Sequence, residues 1–201
     1  EQDYSSMNVA PNGKFIFGTD SLGRDIFTRI LYGTGYSLLI GITTAFISFT
    51  IGILYGGFAG ITGGTVDLVM MRIAEIMYSI PYLLVVILLS VVMSTPGGSS
   101  FFVIIFALSF TSWLPLSILV RGQVLQLKQS EYALASTSIG ASKWYILRKH
   151  IIPNAMGPIL VDVTLTVPRA IFSEATLGFL GLGLAAPKAS LGTLVNDGLK
   201  G

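Results

Sequence analysis

Few side chains in this sequence could do chemistry, and their types and spacing narrow what that chemistry is. There is no cysteine and a single histidine, His150, so disulfide frameworks, thiolate metal sites and a multi-imidazole metal centre are excluded. His150 stands beside Lys149 rather than near an obvious serine partner, and the nucleophile–base pair a hydrolase needs finds no support. Gly18, Gly23, Arg24 and Asp25 have the outline of a phosphate loop, but Arg24 and Asp25 occupy the places where that loop requires lysine and a hydroxyl residue. That stretch reads as an extramembrane turn. What remains is a set of three ionisable groups in an apolar stretch, Asp162, Arg169 and Glu174, and a basic, amphipathic island from Ser130 to Asn154.

The elements that position these groups must be membrane helices. Apolar residues make up 52% of the chain and charged residues 11%, against roughly 25% charged in a soluble domain. Mean hydropathy is +0.77. The net charge of +2 is too small and too scattered to argue for nucleic acid. No charged residue occurs from Ile30 to Val66, more than the roughly 20 apolar residues that cross a bilayer. We place a first span at about 37–59. The uncharged run from Ile76 to Val120 is too long for one span, and the turn at 95–100 divides it into about 76–93 and 101–120. Pro81 and Pro115 are expected to bend these helices. A fourth span follows at about 155–177.

Residues 1–36 then form an extracytoplasmic segment with a pre-span helix over about Asp25 to Tyr32, and 37–201 form a transmembrane domain with a loop at 121–154. Residues 178–201 read as a loop leading toward a further span. Along the first span Ser48, Gly52, Gly56, Gly60 and Gly64 recur every four residues, a small-residue face that permits close packing against a neighbouring helix or a partner subunit. Asp162 and Arg169 are seven residues apart and share a helical face, either as groups lining a pathway or as a structural ion pair. Glu174, near the far end of the same span, is open to both readings.

Within the island, Ser130 is placed to cap a short helix with Glu131 in its first turn. Gly140 is placed to close that helix, and Ser142 to cap a second one that Pro153 interrupts. The resulting helix, glycine turn and helix stand between two spans. The small residues before Gly140, with Ile151-Ile152-Pro153-Asn154 after it, resemble the "EAA loop" of membrane subunits of bacterial ABC importers. Three further stretches, Gly18 to Asp25, Val120 to Val124 and Ser173 to Gly183, narrow the resemblance to the C-type permease of the oligopeptide/dipeptide (and nickel) branch. Leu134-Ala135-Ser136 stand where the general pattern has Glu-Ala-Ala, so the resemblance implies a role for the loop's shape rather than for a loop carboxylate.

The resemblance implies an all-α polytopic helix bundle of the ABC importer type I permease architecture, a fragment lacking the first and last spans. It implies a permease that forms half of a pathway for oligopeptides or dipeptides in a bacterial cell membrane, with nickel or a nickel chelate as an alternative solute. Glu131, Ala133, Leu134, Ala135, Ser136, Gly140, Ala141 and Ser142 would seat in a groove on a separate ATPase. The implied partners are a homologous second permease, two ATP-binding subunits, an external substrate-binding protein and the lipid bilayer. No cofactor is expected on this chain, and ATP with magnesium belongs to the partner ATPase.

Five basic residues, Arg121, Lys128, Lys143, Arg148 and Lys149, lie in or beside the island and none lies in the 95–100 turn, which puts the island in the cytoplasm. Two other readings are weighed. A basic loop can lie on anionic lipid without any protein partner. An ion-coupled secondary transporter would show internal repeats and ion-binding membrane carboxylates; no repeat is evident, and only Asp162 and Glu174 are candidates.

Overall fold

The computed structural model describes residues 3–93, 100–184 and 189–200. Among them the regular secondary structure is all helical, apart from an isolated bridge between Thr19 and Asp25 in the irregular segment that precedes the first long helix. Three helical runs are long and apolar enough to cross a membrane, and a bent pair of helices makes a fourth candidate. The turn expected at 95–100 lies outside the described residues except for Ser100, which opens a helix.

Helix α1 runs over Ile26–Thr62, 37 residues and about 55 Å, longer than the roughly 30 Å hydrocarbon layer. It starts where it does because the Asp25 carboxylate accepts from the backbone N–H groups of Phe27 and Thr28 at 3.2 and 3.3 Å. The pre-span helix expected over 25–32 is therefore the first turns of the span itself. Helix α2, Gly64–Ser79, and helix α3, Tyr82–Met93, meet at an angle of 81°. The bend expected at Pro81 is therefore present, and it divides the stretch expected as one span over 76–93 between the two helices. Pro81 is the cause: the residue before a proline is driven out of the helical region, and Ile80 is extended at φ −79°, ψ 128°.

Helix α4, Ser100–Leu127, passes through Pro115 without a break. Two short helices follow, α5 at Glu131–Ser138 and α6 at Lys143–Ile146, then a wide turn of π geometry at Leu147–Ile151 that leads into α7, Ile152–Phe179. Pro153 does not interrupt this run, contrary to expectation. A proline clashes with the carbonyl one turn back and gives it no N–H, and the widened turn just before it accommodates both defects. Residues expected to be loop near the end form helix α8, Leu191–Lys200.

Helices α1 and α4 pack along the small-residue face. A β-carbon on Gly56 would stand 2.2 Å from the Ser117 carbonyl oxygen, and one on Gly60 would stand 2.8 Å from Val124. Gly52 faces Leu116 in the same way, and the Ser48 and Ser112 hydroxyls bond to each other one turn farther along. The partner of this face is a helix of the same chain. Gly64 does not belong to it, since it opens α2 at φ +61°. One apolar core joins Leu116, Val120 and Val124 of α4 to Ile146, Leu147, Ile151 and Ile159 of the α6–α7 run. A second joins Ile40, Val86, Ile104, Leu108 and Leu177 toward the other end of the bundle.

Candidate functional site

The loop between α4 and α7 forms a handle of two short helices joined at a glycine turn. Gly140 takes φ +84°, the left-handed conformation that only glycine enters without cost, and lets the chain reverse after α5. The turn is closed by Gly140 N–H donating to Thr137 O at 2.9 Å and Ala141 N–H donating to Ser136 O at 3.0 Å, the paired bonds of a Schellman motif. The Ser142 hydroxyl accepts from Tyr145 N–H at 3.2 Å and caps α6. Ser130 holds the cap position of α5, but its hydroxyl donates to Leu127 O at 2.6 Å and makes no cap bond. Ala133 is buried in the core beneath α5, whereas Leu134, Trp144 and Tyr145 are about half exposed and Ile139 is 86% exposed. Glu131 opens α5 in its first turn. His150 lies against the rings of Tyr132 and Tyr145, with centroids 6.3 and 5.8 Å away.

Two lysines tie this handle to the end of α1. Lys128 Nζ donates to Gly60 O at 3.2 Å and Lys143 Nζ to Thr62 O at 3.5 Å. Both ammonium groups sit at the negative end of the α1 dipole. Beside them Arg121 of α4 holds Asp67 of α2 through two bonds, Nε to Oδ1 at 3.0 Å and Nη2 to Oδ2 at 2.6 Å. The sequence reading used these three cations only as charge for orientation; that each has a specific partner on α1 or α2 could not be seen in it.

A cavity of about 870 Å³ opens between α1, the α2–α3 bend, α4 and α7. Asp162 and Arg169 line it, with Arg169 Nη1 3.6 Å from Asp162 Oδ1. Asp162 is mostly buried and Arg169 is 60% exposed. The hydroxyls of Thr44 and Thr111 are buried in the same wall without a hydrogen-bond partner among the described residues. Pro115, also in the wall, has no N–H to give the Thr111 carbonyl, which leaves that carbonyl short of its helical bond.

Glu174 is elsewhere. It is fully buried between α1 and the start of α8, where Ser37 Oγ donates to Oε2 at 3.0 Å and accepts from Leu191 N–H at 3.3 Å. The grouping of Glu174 with Asp162 and Arg169 is therefore corrected: the structure brings the last two together and places Glu174 outside their cavity. Among the described residues no three His, Asp or Glu side chains converge to hold a metal ion.

At the opposite end of α1, Asp20 accepts from Arg24 Nε at 2.8 Å and from Arg29 Nη1 at 2.7 Å, and Arg29 Nη2 reaches Asp197 of α8 at 2.8 Å. Burial works to raise the Asp20 carboxyl, but the Arg24 and Leu22 N–H groups and the Arg24 guanidinium outweigh it and hold the carboxyl below its ordinary range. The turn read from Gly18 to Asp25 is thus a charged clasp between α1 and α8.

The family described as "binding-protein-dependent transport system inner membrane component" matches residues 49–199, which include the cavity lining apart from Thr44, the handle and the buried Glu174. The chain belongs to this family. It is 52% identical over 198 residues to the dipeptide transport system permease protein DppC of Bacillus subtilis, covering 98% of this chain and 61% of that protein. The oligopeptide transport system permease protein OppC of the same organism is 51% identical, with 98% and 65% covered. The corresponding OppC of Haemophilus influenzae is 44% identical, with 98% and 63% covered. The chain therefore spans a little under two thirds of the lengths of these relatives. A solved structure titled as an inward-facing conformation of the MetNI methionine ABC transporter matches with a TM-score of 0.68 at 21% identity, over 81% of this chain and 76% of that one. That likeness shows the fold: a membrane-embedded, all-α bundle of ABC importer permease architecture. Membership of the family sets aside the secondary-transporter reading.

Proposed function

We propose that this chain serves as a permease subunit of an ATP-driven peptide importer. The observation that carries this reading is its 52% and 51% identity, over nearly its full length, to dipeptide and oligopeptide transport permeases. The handle supports it. A short helix, a closed glycine turn and a second helix continuous with a membrane span present Leu134, Ile139, Trp144 and Tyr145 outward. Apolar side chains on a protrusion call for a protein surface to cover them. In this reading that surface is a separate ATPase, which carries ATP and magnesium. Because the handle joins α4, α7 and, through Lys128 and Lys143, the end of α1, movement of the ATPase would move three spans together. This chain contributes conformational change, with alternate exposure of the pathway set by which state each nucleotide form favours. A second, homologous permease completes the pathway, a second ATPase completes the motor, and an external binding protein delivers the solute. The basic residues around the handle support a cytoplasmic position for it in this reading.

The test is reconstitution of the full-length protein with its neighbouring permease, ATPases and binding protein in liposomes. ATP-dependent uptake of tritiated alanyl-alanine that also requires the binding protein is the expected result. No peptide uptake from an intact, ATP-hydrolysing complex would sink the peptide assignment. With Ile139→Asp, the permease should still insert but recover less ATPase on purification; full recovery would remove the handle from the coupling.

A further inference from the structure

Two Arg–Asp pairs in this chain are built differently. Arg121 and Asp67 are joined by two bonds at 3.0 and 2.6 Å, and the Asp67 side chain is 9% exposed. Arg169 and Asp162 make one contact at 3.6 Å, beyond ordinary hydrogen-bond length, with the guanidinium 60% exposed. The first pair is closed. The second is open, with most of the five N–H donors of its arginine unused by the aspartate. It also stands deep in the membrane segment, since Asp162 and Arg169 lie about 15 and 25 Å along the axis from the first residue of α7. A charge at such depth demands a partner or water.

The surroundings of the open pair are those of a ligand site. The cavity of about 870 Å³ falls within the roughly 300–1,000 Å³ typical of small-molecule pockets. Its wall carries the hydroxyls of Thr44 and Thr111, buried without a hydrogen-bond partner among the described residues. Such groups are costly unless something bonds to them. Ile80 and Pro81, at the 81° bend between α2 and α3, form another part of the wall, so the cavity changes shape if that bend changes.

We propose that Asp162 and Arg169 are a binding station for the main-chain charges of a transported peptide, and this rests on the peptide-importer reading above. The Asp162 carboxylate takes the α-ammonium and the Arg169 guanidinium takes the α-carboxylate, each exchanging a loose contact with the other for a close one with the solute. Thr44 and Thr111 offer hydroxyls to the peptide amide. Every short peptide carries one ammonium and one carboxylate whatever its side chains, so a station that reads only these ends passes many sequences. The same two charges would otherwise cross the membrane without counter-charges.

The experiment uses the complete transporter in liposomes with its binding protein, tritiated alanyl-alanine, and four forms of this subunit: wild type, Asp162→Asn, Arg169→Gln, and the exchanged pair Asp162→Arg with Arg169→Asp. All should assemble and show ATP hydrolysis stimulated by the binding protein. Uptake should fall at least tenfold in each variant, and exchanging the charges should not restore it. Single variants that lose assembly, with recovery of both assembly and uptake in the exchanged pair, would make this a structural ion pair and overturn the proposal. Uptake at the wild-type level in both neutral variants would overturn it as well. A dipeptide with a photoreactive diazirine side chain, trapped in the wild-type complex, should crosslink to the cavity wall at Thr111, Tyr82 or Phe172. Crosslinks of the dipeptide to the second permease alone, with none on this cavity wall, would place the solute elsewhere and refute the station. If the wild-type complex takes up no peptide at all, it is the importer reading that fails.

Discussion

Arg121 and Asp67 lie 54 positions apart in the chain and meet through two bonds, 3.0 and 2.6 Å long, that fasten α2 to α4 where the handle begins. The geometry matches the planar fork of a guanidinium to both oxygens of a carboxylate. Removing the cation leaves a largely buried carboxylate without its partner. We expect Arg121→Ala to lower stability by about 2–3 kcal/mol, less than the roughly 3–5 for a fully buried pair because the arginine is in part solvated. Arg121→Lys should recover only part, since an ammonium cannot bond to both oxygens side by side. The measurement is the thermal denaturation midpoint of the purified complex. An unchanged midpoint in Arg121→Ala would show that α2 is held by other contacts.

Along the face where α1 meets α4, glycine is required by contact distance and not by backbone angle. A β-carbon at Gly56 would stand 2.2 Å from the Ser117 carbonyl oxygen, and backbone cannot move aside as a flexible side chain can. Gly56→Ala should push the two helices apart at a cost of about 1–3 kcal/mol, the usual range for overpacking. At Gly35, on the same helix, a β-carbon meets nothing within 4 Å. Gly35→Ala should be neutral or slightly stabilising. Yield of folded protein and its denaturation midpoint compare the two variants. Equal behaviour at both positions would refute the close-packing account.

How much of this was legible in the sequence depends on the range of each interaction. The spacing of Gly52, Gly56 and Gly60, the charge-free runs and the turn at Gly140 are local patterns, and each shows in a single stretch of chain. The partners of charged groups do not. Arg29 and Asp197 are 168 positions apart and Ser37 and Glu174 are 137 apart, and nothing in either neighbourhood names the other. Glu174 looked equivalent to Asp162 because both are acids in one apolar helix; only the packing of α1 and α8 around Glu174 separates them. The bend expected at Pro81 is present and the interruption expected at Pro153 is not, for a related reason. Pro81 breaks its helix, Pro115 does not, and Pro153 is accommodated by a wide turn, so the effect of the ring is decided by what the preceding turn can do.

The clasp around Asp20 has a defined pH response. Its carboxyl is held below the ordinary value of 3.8, so the folded clasp gains from its ionised form. That contribution is complete above pH 3.8 and is lost as pH falls through the lower, folded value. Hydrogen exchange at Leu22 and Arg24, whose N–H groups each donate to Asp20 at 2.9 Å, reads it directly. Protection corrected for intrinsic rate should be flat from neutral pH to about 5 and fall below 3.8. Asp20→Asn, which keeps an acceptor but loses the charge facing Arg24 and Arg29, should lower protection at neutral pH severalfold and flatten the acid response. An acid response of the same size in Asp20→Asn would assign it to another group.

Gly140 permits the sharpest separation between shape and bulk in the handle. Its φ of +84° disfavours any side chain, yet a β-carbon there would meet nothing within 4 Å. The penalty for Gly140→Ala is therefore conformational, about 1–2 kcal/mol at the left-handed position. Asparagine enters that region more readily than alanine and should cost less despite being larger. If the turn's geometry is what presents Leu134, Ile139 and Trp144 to the ATPase, coupled ATP hydrolysis in the full complex should rank wild type first, then Gly140→Asn, then Gly140→Ala. If the surface at Gly140 is itself buried by the ATPase, the order of the variants reverses, because asparagine then brings the greater bulk. Equal activity in all three would mean that the handle tolerates a deformed turn, and the coupling would have to run through the α6–α7 helix alone.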